Sequence, residues 1–118
     1  MTRHDDLVAV RQMLDYARTA RRLVTGRTRQ DLDADEMFHL ALTRAVEVIG
    51  EAAARVSDAM REAHPNIPWH QITGTRNRLI HGYDRVDFDI LWRIASEDLP
   101  PLIAHLEAIL ADERQIGS

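Results

Sequence analysis

Apolar residues return at three- and four-residue intervals along almost the whole chain, and that rhythm leaves little room for anything but helices. Leu7, Val10, Leu14, Ala17 and Val24 keep it near the start, with charges between them, so they share one face at the helical period. Asp5 or Asp6 is the expected N-cap of this first helix, and Gly26 its end. A second helix is expected from Asp33 or Asp35, with Met37, Leu40, Ala41, Val48, Ile49, Ala52 and Val56 as its buried stripe. Ser57 to Ala63 reads as a short further turn. The run His64-Pro65-Asn66-Ile67-Pro68 then breaks the chain, because proline lacks a donor and restricts the residue before it.

Pro68 suits the first position of a third helix through Trp69, Ile72, Leu79 and Ile80, which Gly82 is expected to stop. Asp87 opens the last helix, carried by Phe88, Leu91, Trp92, Ala95, Leu99, Leu102, Leu106, Ile109 and Leu110. Pro100-Pro101 should kink it, and the tail from about residue 112 is expected to fray. No strand-like alternation or internal repeat interrupts the pattern. The reading is a single all-α domain over 1–118, an antiparallel bundle of four to five helices.

A chain of 118 residues has one hydrophobic core. The absence of cysteine excludes disulfides, thiol catalysis and cysteine-ligated zinc, and fits a reducing compartment. No signal sequence is visible and no apolar run reaches membrane-spanning length, so the expected setting is cytoplasmic with no membrane partner. The net charge of -4 argues against indiscriminate nucleic-acid binding. Arg11, Arg18, Arg21, Arg22, Arg27 and Arg29 nonetheless crowd one early stretch, and there is no lysine anywhere. That crowding reads either as a solvated helix face or as an electrostatic guide for RNA or an acidic partner.

Chemistry concentrates in Arg76-Asn77-Arg78-Leu79-Ile80-His81-Gly82-Tyr83. A histidine can move a proton near neutrality, and an arginine presents a planar fork suited to phosphate. On a continuous helix Arg76 and His81 would stand about 140° apart, so convergence on one groove needs the helix to unwind near Gly82. A two-fold axis bringing two such ends together would complete a cationic site. In that reading His81 is a general acid or base, Arg76 stabilises charge on phosphoryl oxygens, and Asn77 is auxiliary. The competing reading has His81 favoured by a helix C-terminus and Arg76 and Arg78 paired with Asp84 or Asp87.

Other candidates carry less. His39, His64, His70 and His105 lack ligand-like spacing, so no metal site is expected. Glu47 and Glu51, one turn apart, read as ion-pair partners, and Trp69 and Trp92 as core anchors.

The spacing Arg76-x-x-x-x-His81-x-Tyr83 resembles the motif of the HEPN superfamily, specifically its HepT-like toxins. Ala45 to Ala53 (AVEVIGEAA) looks like that family's second-helix signature. The approach His64-Pro65-Asn66-Ile67-Pro68-Trp69 before GTRNRLIHGY, together with Trp92 and Glu97-Asp98-Leu99-Pro100, extends the likeness over nearly the whole chain. Thr75 departs from the bulky apolar residue more usual there, a difference expected to touch packing rather than chemistry. The resemblance implies a HEPN-type bundle, a homodimer, and a ribonuclease needing no metal or other cofactor that leaves a 2′,3′-cyclic phosphate. It makes Arg76 and His81 the catalytic pair and Asn77 an auxiliary residue. It makes Tyr83 the tyrosine to which a nucleotidyltransferase antitoxin transfers AMP. The alternative it leaves open is a non-catalytic HEPN module serving as scaffold or substrate for that partner.

Overall fold

The computed structural model describes residues 2–81 and 85–117, the side chains of His81 and of 114–117 excepted. Helix α1 (Arg3–Val24) and helix α3 (Glu36–Ala54) are joined through a single turn, α2 (Asp31–Ala34). Short helices α4 (Asp58–Ala63), α5 (Trp69–Thr73) and α6 (Thr75–Leu79) follow. After a small β-ladder, α7 (Phe88–Arg93), a π-helical turn (Ile94–Asp98) and α8 (Leu99–Gly117) run on end to end. Among the described residues no helix is long and apolar enough to cross a membrane.

The N-cap of α1 is Thr2 rather than Asp5 or Asp6. Its hydroxyl accepts from the Asp5 backbone N–H at 3.1 Å, while the Asp5 carboxylate accepts from the Thr2 N–H at 3.2 Å. This reciprocal box satisfies two orphan donors of the first turn. Asp5 is thereby inside the helix, and Asp6 is buried for another purpose. Its carboxylate accepts from the Ser57 N–H at 2.8 Å and the Ser57 hydroxyl at 2.6 Å. Since Ser57 in turn caps α4, the far end of α3 is tied to the beginning of α1, as antiparallel packing requires. Gly26 closes the first helix with φ +76°, a left-handed conformation that glycine adopts without penalty.

Helix α3 begins where expected, with Asp35 capping through the Phe38 N–H at 3.1 Å. Its predicted stripe needs correction. Phe38, Leu42, Ala45, Val46 and Ile49 enter the core, but Met37 is 82% and Leu40 57% exposed, and Ala41 is exposed as well. The core itself is built by α1, α3 and the α7–α8 rod, with Met13, Leu42, Leu91 and Leu106 fully buried. Trp69 is a core anchor whose indole N–H donates to the His64 carbonyl at 3.0 Å, the polar partner a buried tryptophan needs.

Three further expectations change. The third helix is interrupted at Gly74 and ends at Leu79, before Gly82. The Pro100-Pro101 pair is met by a π turn, in which the Leu99 N–H bonds to the Ile94 carbonyl. Two residues without amide donors cannot continue an α ladder, and a wide turn absorbs the deficit. Finally, α8 continues past residue 112 to Gly117.

Candidate active site

The motif segment is held by a close helix approach. A Cβ added to Gly50 of α3 would lie 3.0 Å from the Ile72 carbonyl oxygen and 3.6 Å from the Thr75 Cβ. Thr75 is buried there, its hydroxyl donating to the Ile72 carbonyl at 2.6 Å. Position 75 is thus a packed position facing α3, where a small side chain lies against Gly50.

Thr75 and Leu79, one turn apart, bury the inner face of α6 and leave Arg76 and Asn77 exposed on the other. Arg78 is half-buried and pairs with Asp98 of the π turn at 3.6 Å; Asp84, one of the partners considered from the sequence, lies outside the described residues. Beside that pair, an apolar groove of about 210 Å³ runs between α5–α6 and the start of α8, lined by Ile72, Thr75, Leu99, Leu102 and His105. No motif in the sequence announces it, because its walls come from three separate segments.

His81 does not lie on the helix. Ile80 and His81 form strand β1, which pairs antiparallel with β2 (Arg85–Val86) in the register Ile80↔Val86 and His81↔Arg85. The 140° separation expected on a continuous helix therefore does not apply. The helix stops because the chain after Leu79 turns to this ladder, and the Asp87 N–H donates to the Leu79 carbonyl at 2.6 Å. Asp87 then caps α7 through the Ile90 N–H. Tyr83, expected to be the modified tyrosine, lies outside the described residues.

The ladder's outgoing end is fixed from two sides. The ring of Phe88 meets that of His39 on α3 at 4.9 Å. The Arg29 guanidinium reaches Asp89 at 2.6 Å and Asp33 at 2.9 Å, and lies 5.8 Å from the Phe88 ring centroid. These carboxylates, Asp89 foremost, hold the Arg29 pKa above its ordinary value.

The early arginine crowd is largely spent on structure. Arg18 pairs with Glu107, Arg27 with Asp35, and Arg21 donates to the Ala95 carbonyl. Arg44 pairs with Glu51 at 3.1 Å, the ion-pair role expected of that glutamate. Arg3, Arg22, Arg55, Arg61 and Arg93 are engaged too. Among the described arginine side chains, those with neither a hydrogen bond nor an ion pair are Arg11, Arg76 and Arg85. Two of these three belong to the segment around His81.

The histidines are dispersed. His39 meets Phe88 in a tilted ring contact, His105 bonds Asn66 at 2.8 Å, and His70 is exposed. Among the described residues no group of three or more His, Asp or Glu could hold a metal ion.

Comparison with known proteins bears directly on this arrangement. The chain is 39% identical over 85 residues to a candidate RNase of Methanocaldococcus jannaschii, covering 68% of this chain and 78% of that protein. It is 36% identical over 80 residues to the probable ribonuclease HepT of Thermococcus cleftensis, covering 68% and 73%. A candidate RNase of Caldanaerobacter subterraneus is 34% identical over 91 residues, covering 77% and 81%. No solved structure matches. The family profile described as "Ribonuclease HepT-like" matches residues 13–109, a span that contains most of the core, the α6 arginines and the β-ladder. This chain belongs to the HepT-like ribonuclease family.

Proposed function

We propose that this chain is the toxin of a toxin–antitoxin module and acts as a metal-independent endoribonuclease through Arg76, Asn77 and His81. The observation that carries the reading is Arg76, an exposed guanidinium without a partner among the described residues, inside the span matched by a ribonuclease family. An arginine kept out of ion pairs retains its full capacity for a phosphate.

In the reaction, the ribose 2′-oxygen attacks phosphorus as His81 accepts its proton, and the P–O5′ bond breaks. The products are a 2′,3′-cyclic phosphate and a 5′-hydroxyl, whose oxygen takes up a proton. Arg76 stabilises charge growing on the non-bridging oxygens, and Asn77 donates its amide to the same group. The active form is a homodimer in which a second imidazole returns the proton. Exposed Met37 and Leu40 support this, since apolar surface of that kind marks interfaces. They lie on the helix whose His39 touches Phe88, just beyond the ladder.

Control comes from a nucleotidyltransferase antitoxin. The Tyr83 oxygen attacks the α-phosphorus of ATP, loses its proton and releases pyrophosphate, leaving an anionic adenylyl group two residues from His81. That group competes with RNA for the same guanidinium.

Cleavage of a defined RNA in the presence of EDTA tests the enzyme reading. His81→Ala and Arg76→Ala should each abolish most of the activity, and cleavage by either at the parent rate would refute the assignment. Mass spectrometry after incubation with the partner and ATP tests the modification, which Tyr83→Phe should prevent. The second reading, a non-catalytic scaffold for that partner, is the one left if the parent protein cleaves nothing yet is still modified.

A further inference from the structure

His81 and Arg85 occupy one register position of the antiparallel ladder. Cross-strand neighbours share a face, with Cβ atoms about 4.5–5.5 Å apart. Arg85 is exposed, and like Arg76 it has no hydrogen bond or ion pair among the described residues. In a chain whose other described arginines, Arg11 excepted, are nearly all tied to carboxylates, hydroxyls or carbonyls, this is a selective omission. Arg76 precedes His81 on α6 and Arg85 opposes its backbone on β2, so two arginines without a partner among the described residues come from different elements on either side of position 81. The ladder also holds Arg85 in place without using its side chain. Its backbone is fixed by the pairing and by the neighbouring Asp87-to-Leu79 bond at 2.6 Å.

We infer that Arg85 is a second phosphate-binding residue of the site, contacting non-bridging oxygens of the RNA phosphodiester at which His81 takes the proton of the attacking 2′-hydroxyl. The inference rests on the ribonuclease reading and extends it. A tetrahedral phosphoryl group has two non-bridging oxygens, and a fork on either side of it can hold both while leaving the bridging oxygens to the imidazole. Arg85 stabilises the negative charge that builds during attack, so its effect falls mainly on kcat.

Arg85→Ala and Arg85→Lys test this beside His81→Ala and Arg76→Ala. Arg85→Ala should lower kcat/KM for a short RNA about ten- to hundredfold, the worth of a charge-assisted hydrogen bond, with Arg85→Lys intermediate and melting temperatures unchanged. Binding of an RNA made uncleavable by 2′-deoxy substitution should show a salt slope shallower by about 0.7, one phosphate contact on a single strand. If Arg85→Ala cleaves and binds as the parent does while His81→Ala is inactive, the inference is overturned and the ribonuclease reading stands. If no variant and no parent cleaves, that reading falls, and the binding slope alone decides whether Arg85 meets a phosphate. An unchanged slope then overturns the inference as well.

Discussion

The backbone of α3 at Gly50 approaches α5 so closely that a methyl group there would stand 3.0 Å from the Ile72 carbonyl oxygen. That oxygen already accepts the Thr75 hydroxyl at 2.6 Å, so it has little freedom to withdraw. Gly50→Ala gains about 1 kcal/mol of helix propensity but incurs an overpacking cost of about 1–3 kcal/mol. Net destabilisation in urea unfolding is expected, together with reduced RNA cleavage as α5 and α6 are pushed outward. A stabilised variant with full activity would show that the contact relaxes without consequence.

Arg76 and Arg78, two residues apart, should separate cleanly. Arg78 pairs with Asp98 at 3.6 Å in a partly exposed setting, a bond worth no more than about 1 kcal/mol. Arg78→Ala should shift the unfolding midpoint slightly. Arg76→Ala should leave the midpoint unmoved and cut the cleavage rate about 10²–10³-fold, as loss of a transition-state donor does. Measuring both properties on both variants checks the division of labour.

Asp6 makes a different kind of demand. Its buried carboxylate receives two donors from Ser57, so Asp6→Ala strands the Ser57 hydroxyl and removes a latch between α1 and α4. A loss of about 1–3 kcal/mol is expected. A double-mutant cycle with Ser57→Ala should be clearly non-additive, because each single change already breaks the shared bond.

The helix caps set an acid limit on stability. The Asp35 carboxyl lies below its ordinary value of 3.8, chiefly because the Phe38 N–H donates to it, and Asp5 is lowered by the Thr2 N–H. A depressed folded pKa means that the unfolded chain binds the proton first on acidification. Both contributions are therefore present above about pH 4 and are lost as pH falls through the lower folded values. Melting curves from pH 6 to pH 2.5 should decline below pH 4. Asp35→Asn, which keeps a capping oxygen but cannot titrate, should flatten that decline.

Much of this could be read in the residue pattern. Gly26, Ser57, Asp35 and Asp87 end or begin helices where their chemistry places them, and Trp69 is the anchor its neighbours imply. What escaped depends on partners far away in sequence. Asp6 looks like a cap until Ser57 claims it. Ile80 continues a helical rhythm until Val86 pairs with it. Met37 and Leu40 fit a core stripe, yet α1 and α7 cover only the neighbouring face of α3. Arg76, Asn77 and His81 were identifiable as a candidate site from type and order. Arg85 was not, because only the ladder register sets it opposite His81.

The π turn before α8 shifts the angular phase of everything after it. Ile94 and Leu99 are both buried although five residues apart, a spacing that would set them about 140° apart on a regular α-helix. The widened turn cancels that offset, so α7 and α8 present their apolar sides to the same bundle. The segment is in effect a one-residue insertion that the helix never expelled. Asp98, the last residue of that turn, is the one that pairs with Arg78 across the bundle.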